Sequence, residues 1–168
     1  MKTFSKSILP VFVMCSAVLL CITPTALSHC EIPCGIYNDA MRLDMIAEDI
    51  ATIEKSMKEI NELSRAGDKN YNQLVRWIMN KEHHCDSLCD TVTEYFMKQR
   101  IVPVESTDKN YQDYIHKITL LHKLMVYSMK CKQTTDLDNV AKLREYLREF
   151  RTAYLSTANP SVETGRDR

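Results

Sequence analysis

The stretch "LDMIAEDIATIEKSMKEI", residues 43–60, decides the fold. Leu43, Ile46, Ile50, Ile53, Met57 and Ile60 recur at steps of three and four, which at 3.6 residues per turn puts them on one stripe of a helix over about residues 39–64. The charged residues between them fall on the other faces. Gly67 and Asp68 then end the pattern.

The same period returns three times downstream. Tyr71, Leu74, Ile78, Cys85, Leu88, Val92, Tyr95 and Phe96 predict a second helix of about 30 residues, interrupted by Lys81, running to Arg100 and closed by Pro103. A third, with Thr107 or Asp108 as N-cap, carries Tyr111, Ile115, Ile118, Leu121, Met125 and Met129 on one face. A fourth, over about 135–155, carries Leu137, Val140, Leu143, Leu147, Phe150 and Tyr154. Three glycines and five prolines in 168 residues are too few for a turn-rich β domain. The expected fold is all-α, an antiparallel up-down four-helix bundle over 38–156, with a polar, disordered tail over 157–168.

Residues 1–28 follow different rules. Lys2 and Lys6 precede the apolar run "ILPVFVMCSAVLLCI" (8–22), and Ala26 and Ser28 stand three and one positions before His29. That is the anatomy of a cleavable signal peptide with an A-x-S box, and the run is shorter than a membrane anchor requires. Cleavage is expected after Ser28, exporting the chain to a periplasm, an organelle lumen or the outside. No later segment is apolar enough to span a bilayer, so the processed protein is expected to be free of the membrane. Removing the leader takes two of the 22 basic residues and none of the 22 acidic ones, leaving a formal charge of about −2. Nucleic acid is therefore an improbable partner. Five of seven cysteines stay: Cys30, Cys34, Cys85, Cys89 and Cys131. An odd number in an exported chain leaves at least one thiol free, metal-bound or paired between chains.

Cleavage would create a new N-terminus reading "HCEIPCGIY", residues 29–37. His29 then offers an α-amine and an imidazole, Cys30 a backbone amide and a thiolate, and Cys34 a second thiolate. Amine, amide nitrogen and the Cys30 sulfur close two adjacent chelate rings. Pro33 and Gly35 allow the turn that brings Cys34 to the fourth equatorial position. A planar N/S set of this kind favours Ni(II) or Cu(II) over tetrahedral zinc, with the imidazole left to bind axially.

His29, Cys30, Pro33, Cys34, Gly35 and Tyr37, spelling H-C-x-x-P-C-G-x-Y behind a removable leader, resemble the nickel hook of the nickel superoxide dismutase family. The likeness extends over 29–155 through "IEKSMKEI", "VRWIMNKEHH" and "EYFMKQRIVP". The resemblance implies that two superoxide ions and two protons become dioxygen and hydrogen peroxide, one nickel per subunit alternating between Ni(II) and Ni(III). It implies His29, Cys30 and Cys34 as ligands and Tyr37 in the substrate pocket, with Tyr95 hydrogen-bonded to it. It also implies a homohexamer with the hooks near subunit contacts. At two positions where other members carry a Glu and an Arg that orient the axial histidine, this chain has Met45 and His84, so His84, or Glu48 near Asp44, is expected to take that role.

The other cysteines and histidines read more plainly. Cys85 in "HHCDSLC" fits a core cysteine better than a second metal ligand, and Cys89 with Cys131 is the better disulfide candidate. His116 and His122 read as surface or packing residues. Lys98 and Arg100 are candidates for attracting an anionic substrate. A thiol oxidoreductase built on Cys30 and Cys34, or a secreted bundle without catalysis, are the rival readings. The first lacks the usual two-residue cysteine spacing and a thioredoxin-like pattern.

Overall fold

The computed structural model of the protein describes residues 37–67 and 69–157. The leader, its cleavage point, the hook residues 29–36 and the tail after residue 157 lie outside the described residues. Four helical segments follow one another: α1 (Asp39–Arg65), α2 (Tyr71–Asp90) continued by a π-helix (Thr91–Arg100), α3 (Tyr111–Gln133) and α4 (Leu137–Thr157). Packing follows chain order, α1 on α2, α2 on α3, α3 on α4, and α4 back on α1. The expected all-α four-helix bundle is what forms.

The first helix is set as its sequence dictates. Asn38 caps it, its Oδ1 accepting the Met41 amide at 3.0 Å, and all six stripe residues are buried. Gly67 stops it by taking φ +77°, a left-handed conformation open to glycine at little cost. In α4, Val140, Leu143, Leu147, Phe150 and Tyr154 are buried as expected, whereas Leu137 is half-exposed.

The second and third helices depart from expectation. In α2, Cys85 and Leu88 are buried, followed in the π-helix by Val92, Tyr95 and Phe96, but Tyr71 and Ile78 of the expected stripe face solvent beside Val75 and Met79. In α3 the buried face is Lys117, Leu120, Leu121, Leu124, Ser128 and Cys131, while Ile115 and Met129 are exposed. The reason lies in close packing against α2. The Ser128 hydroxyl donates to the Cys85 carbonyl at 2.9 Å, a contact that requires small residues on the facing surface and turns Met129 outward. The N-caps shift as well. Asp108 spends its side-chain oxygen on the Asn110 amide at 2.7 Å, an Asx turn, and α3 begins only at Tyr111.

Lys81, the break in the α2 stripe, is a helix cap. It is 4% exposed, and its ammonium donates to the carbonyls of Cys131 at 2.8 Å, Lys132 at 2.6 Å and Thr134 at 3.5 Å. Those carbonyls end α3, where no intrahelical donor remains and the helix dipole is negative. A buried positive charge thus binds α2 to the end of α3. Hydrogen bonds to a charged group contribute about 1.5–3 kcal/mol, so Lys81→Met, which keeps the volume and removes the donor, is expected to cost on the order of 2 kcal/mol in urea unfolding. An unchanged midpoint would contradict the cap.

Candidate active site

The chain enters the bundle at Asp39, two residues after Tyr37. Around its carboxylate three elements converge. Tyr95 from the π-helix donates its hydroxyl to Oδ1 at 2.6 Å. Arg100 donates Nε to Oδ1 at 2.9 Å and Nη2 to Oδ2 at 2.7 Å, a bidentate pair. Tyr154 of α4 donates its hydroxyl to Oδ2 at 2.9 Å and accepts from Arg100 Nε at 3.1 Å. Four donors meet the roughly four lone-pair sites of one carboxylate. Beneath them Phe96 packs edge-on against Phe150 and Tyr154, with centroids 5.1 and 5.4 Å away.

The π-helix accounts for this convergence. Tyr95 and Arg100 are five residues apart, and at 3.6 residues per turn they would point roughly 140° away from each other. An i→i+5 helix returns them to the same side. The Ile101 amide bonds the Phe96 carbonyl at 2.8 Å in that wider register. The expected continuous helix to Arg100 is therefore present in extent but not in winding.

The electrostatics follow from the contacts. Burial opposes the charged form of Asp39, but hydrogen bonds from Arg100, Tyr95 and Tyr154 outweigh it and hold its pKa below 3.8. Burial, then the nearby Asp39 charge, pushes the Tyr154 hydroxyl up to about 12, and burial with the Asp39 hydrogen bond raises Tyr95 as well.

A second pair lies further along α1. His84 Nδ1 meets Asp49 Oδ1 at 2.7 Å. An ionised carboxylate only accepts, so Nδ1 is the donor of this pair. His83 packs edge-on against His84 at 5.3 Å. Asp49 is buried on the α1 core face, one residue before Ile50 and three after Ile46, whereas Glu48 is exposed. An acidic residue at such a stripe position was the available signal for this pair.

The remaining sequence candidates separate cleanly. Tyr37 is exposed and precedes the unit that begins at Asn38. Cys85, Cys89 and Cys131 are free thiols, so the expected Cys89–Cys131 disulfide is absent. Burial pushes Cys85 up to about 11 and Cys131 to about 12, suiting packing and not reactivity. Lys98 and Arg100, expected to attract an anion, are paired with Glu94 and Asp39. His116 and His122 are exposed. Among the described residues no group of three or more His, Cys, Asp or Glu side chains could hold a metal ion, and no helix is long and apolar enough to cross a membrane.

The model of the nickel-containing superoxide dismutase family matches residues 24–158, spanning the hook motif and the whole bundle. The chain belongs to that family. It is accordingly an oxidoreductase whose family uses nickel and acts on superoxide. No curated protein and no solved structure gives a match. The Asp39 cluster is the described cluster nearest in sequence to residues 29–37, and its side chains were invisible to motif reading because they come from positions 56 to 115 residues from Asp39.

The pH dependence of stability tests this cluster. Asp39 has a lowered folded pKa, so its contribution is present above about 3.8 and is lost as pH falls through the folded value. Tyr154 has a raised one, so its contribution is complete below pH 10 and is lost as pH rises toward about 12. Urea unfolding as a function of pH is expected to show both declines, Asp39→Asn weakening the acid one and Tyr154→Phe the alkaline one. Variants that shift stability equally at every pH would contradict the assignment.

Proposed function

We propose that the chain is an exported nickel superoxide dismutase whose active site forms only when the leader is cut between Ser28 and His29. Family membership over residues 24–158, a span that includes H-C-x-x-P-C-G-x-Y, carries this reading. The donor set would suit nickel: an α-amine and an imidazole from His29, an amide nitrogen and a thiolate from Cys30, and a thiolate from Cys34 would hold the ion. Nickel, one ion per subunit, supplies one-electron exchange between Ni(II) and Ni(III). Tyr37 lines the substrate pocket, with Tyr95 hydrogen-bonded to it. His84, held by Asp49 through Nδ1, would orient the His29 imidazole, a role given elsewhere in the family to other side chains.

The functional unit is a homohexamer. Tyr71, Val75, Ile78 and Met79 give α2 an exposed apolar strip, 64% exposed at Tyr71 and 67% at Met79, of the kind subunit contacts cover. A net charge near −2 after processing gives no basis for binding nucleic acid.

The test is to prepare the chain starting at His29 and the same chain with Ser28 retained, both refolded with nickel. The first is expected to hold one nickel and dismutate superoxide, the second to lose both, because the α-amine has become an amide. Equal activity would sink the hook assignment, and no activity in either would sink the enzyme reading. In the same assay, His84→Ala is expected to lower turnover on the order of 10-fold or more and to alter the axial-nitrogen EPR signature. Val75→Glu is expected to break the oligomer in sedimentation.

A further inference from the structure

The seam between α1 and α4 holds a groove of about 320 Å³, lined by Ala47 and Ile50 of α1 and by Arg144, Leu147, Arg148 and Arg151 of α4. The three arginines follow one another at steps of four and three, so successive turns of α4 set them on one face. Ile50 and Leu147 are buried and form an apolar floor. Ala47 is exposed, and its small side chain leaves the space open.

The charges around this groove do not balance. Glu54 accepts from Arg144 on one oxygen and pairs with Lys58 at 2.7 Å on the other. Hydrogen bonds from Arg144 and then Lys58 hold the Glu54 carboxyl below the usual carboxylate range. Asp44 pairs with Arg151 at 2.5 Å. Between these two anchors the Arg148 guanidinium is exposed and has no hydrogen-bond or ion-pair partner among the described residues. Glu145, one turn before it, is taken by Lys142 at 2.8 Å. The lining arginines and Lys58 thus make four cations against two carboxylates, an excess of two positive charges.

We propose that this groove binds a phosphate monoester with a small apolar body. Guanidinium forks match phosphate oxygens, and a phosphate monoester carries about −1.5 to −2 near neutral pH, which meets the excess charge. A carboxylate brings one charge and two oxygens. Arg144 and Arg151 are held in place by their carboxylates through Nη2 and keep other N–H donors to spare. Arg148 supplies the fork between them. A phosphate group fills only part of about 320 Å³, and the remainder lies over the apolar floor of Ala47, Ile50 and Leu147. The site lies wholly within the bundle and is independent of the nickel chemistry.

Isothermal titration calorimetry at low ionic strength tests this, on the nickel-loaded protein beginning at His29 and on the same chain without nickel. The probes are phenyl phosphate, inorganic phosphate and benzoate. Phenyl phosphate is expected to bind with and without nickel, more tightly than benzoate, and roughly fivefold more tightly than inorganic phosphate, the factor for covering about 40 Å² of apolar surface. Arg148→Gln is expected to lower its affinity by about 10-fold, the low end for charge-assisted hydrogen bonds because the groove is open to water. Arg148→Lys, which keeps the charge and loses the fork, should restore only part of that loss. Ala47→Leu, which fills the groove and leaves every charge in place, should weaken binding as well. Positions 47 and 148 are both exposed, so these variants should unfold at the wild-type temperature. The proposal is overturned if phenyl phosphate gives no saturable heat, or if benzoate or inorganic phosphate binds as tightly. It is equally overturned if Arg148→Gln leaves the affinity unmoved, or if binding vanishes when nickel is left out, which would put the anion on the metal.

Discussion

One carboxylate registers three segments of this bundle against one another. Asp39 opens α1, Tyr95 and Arg100 come from the π-helix, and Tyr154 from the last turns of α4. A partly buried charge with four donors is stable only while they all stay in place, since losing one partner leaves the others desolvated. The π winding is a consequence: no α-helix could present residues 95 and 100 to the same two oxygens. The aromatic contacts of Phe96, Phe150 and Tyr154 fill the volume below and make the arrangement rigid. The first turn of α1 is thereby tied to the π-helix and to α4.

The opposite pole is organised by another buried charge. Lys81 ends α3 from the side of α2, so each end of the molecule has a polar device that fixes which helix meets which. Apolar stripes alone tolerate rotation and sliding. The two charged clusters, with the Ser128 contact to Cys85, select one register.

How much of this was legible in the sequence varies by element. The α1 stripe was, because its six buried apolar residues recur at steps of three and four; α4 was for the same reason, Leu137 apart. The outward half of α2 and the true core face of α3 were not. Tyr71, Ile78, Ile115 and Met129 complete a plausible stripe, yet Lys81, Lys117 and Ser128 occupy the buried positions. A polar residue that serves as a cap or a small contact looks like an interruption until its partner is known. The family was legible, because H-C-x-x-P-C-G-x-Y is local and chemically unusual and the family it pointed to is the one whose model matches. The Asp39 cluster and the Asp49–His84 pair depend on partners 35 or more residues away, and nothing local announces them. The π-helix has no compositional mark either.

The proposed function divides the labour: it assigns the nickel donors to the first six residues of a chain beginning at His29 and leaves the described bundle as scaffold. Nickel K-edge X-ray absorption on the protein beginning at His29 tests that division most directly. The account predicts a first shell of sulfur from Cys30 and Cys34 with nitrogen from His29 and Cys30, half of the sulfur disappearing in Cys34→Ser. A shell of nitrogen and oxygen alone, or one unaltered by that substitution, would contradict it.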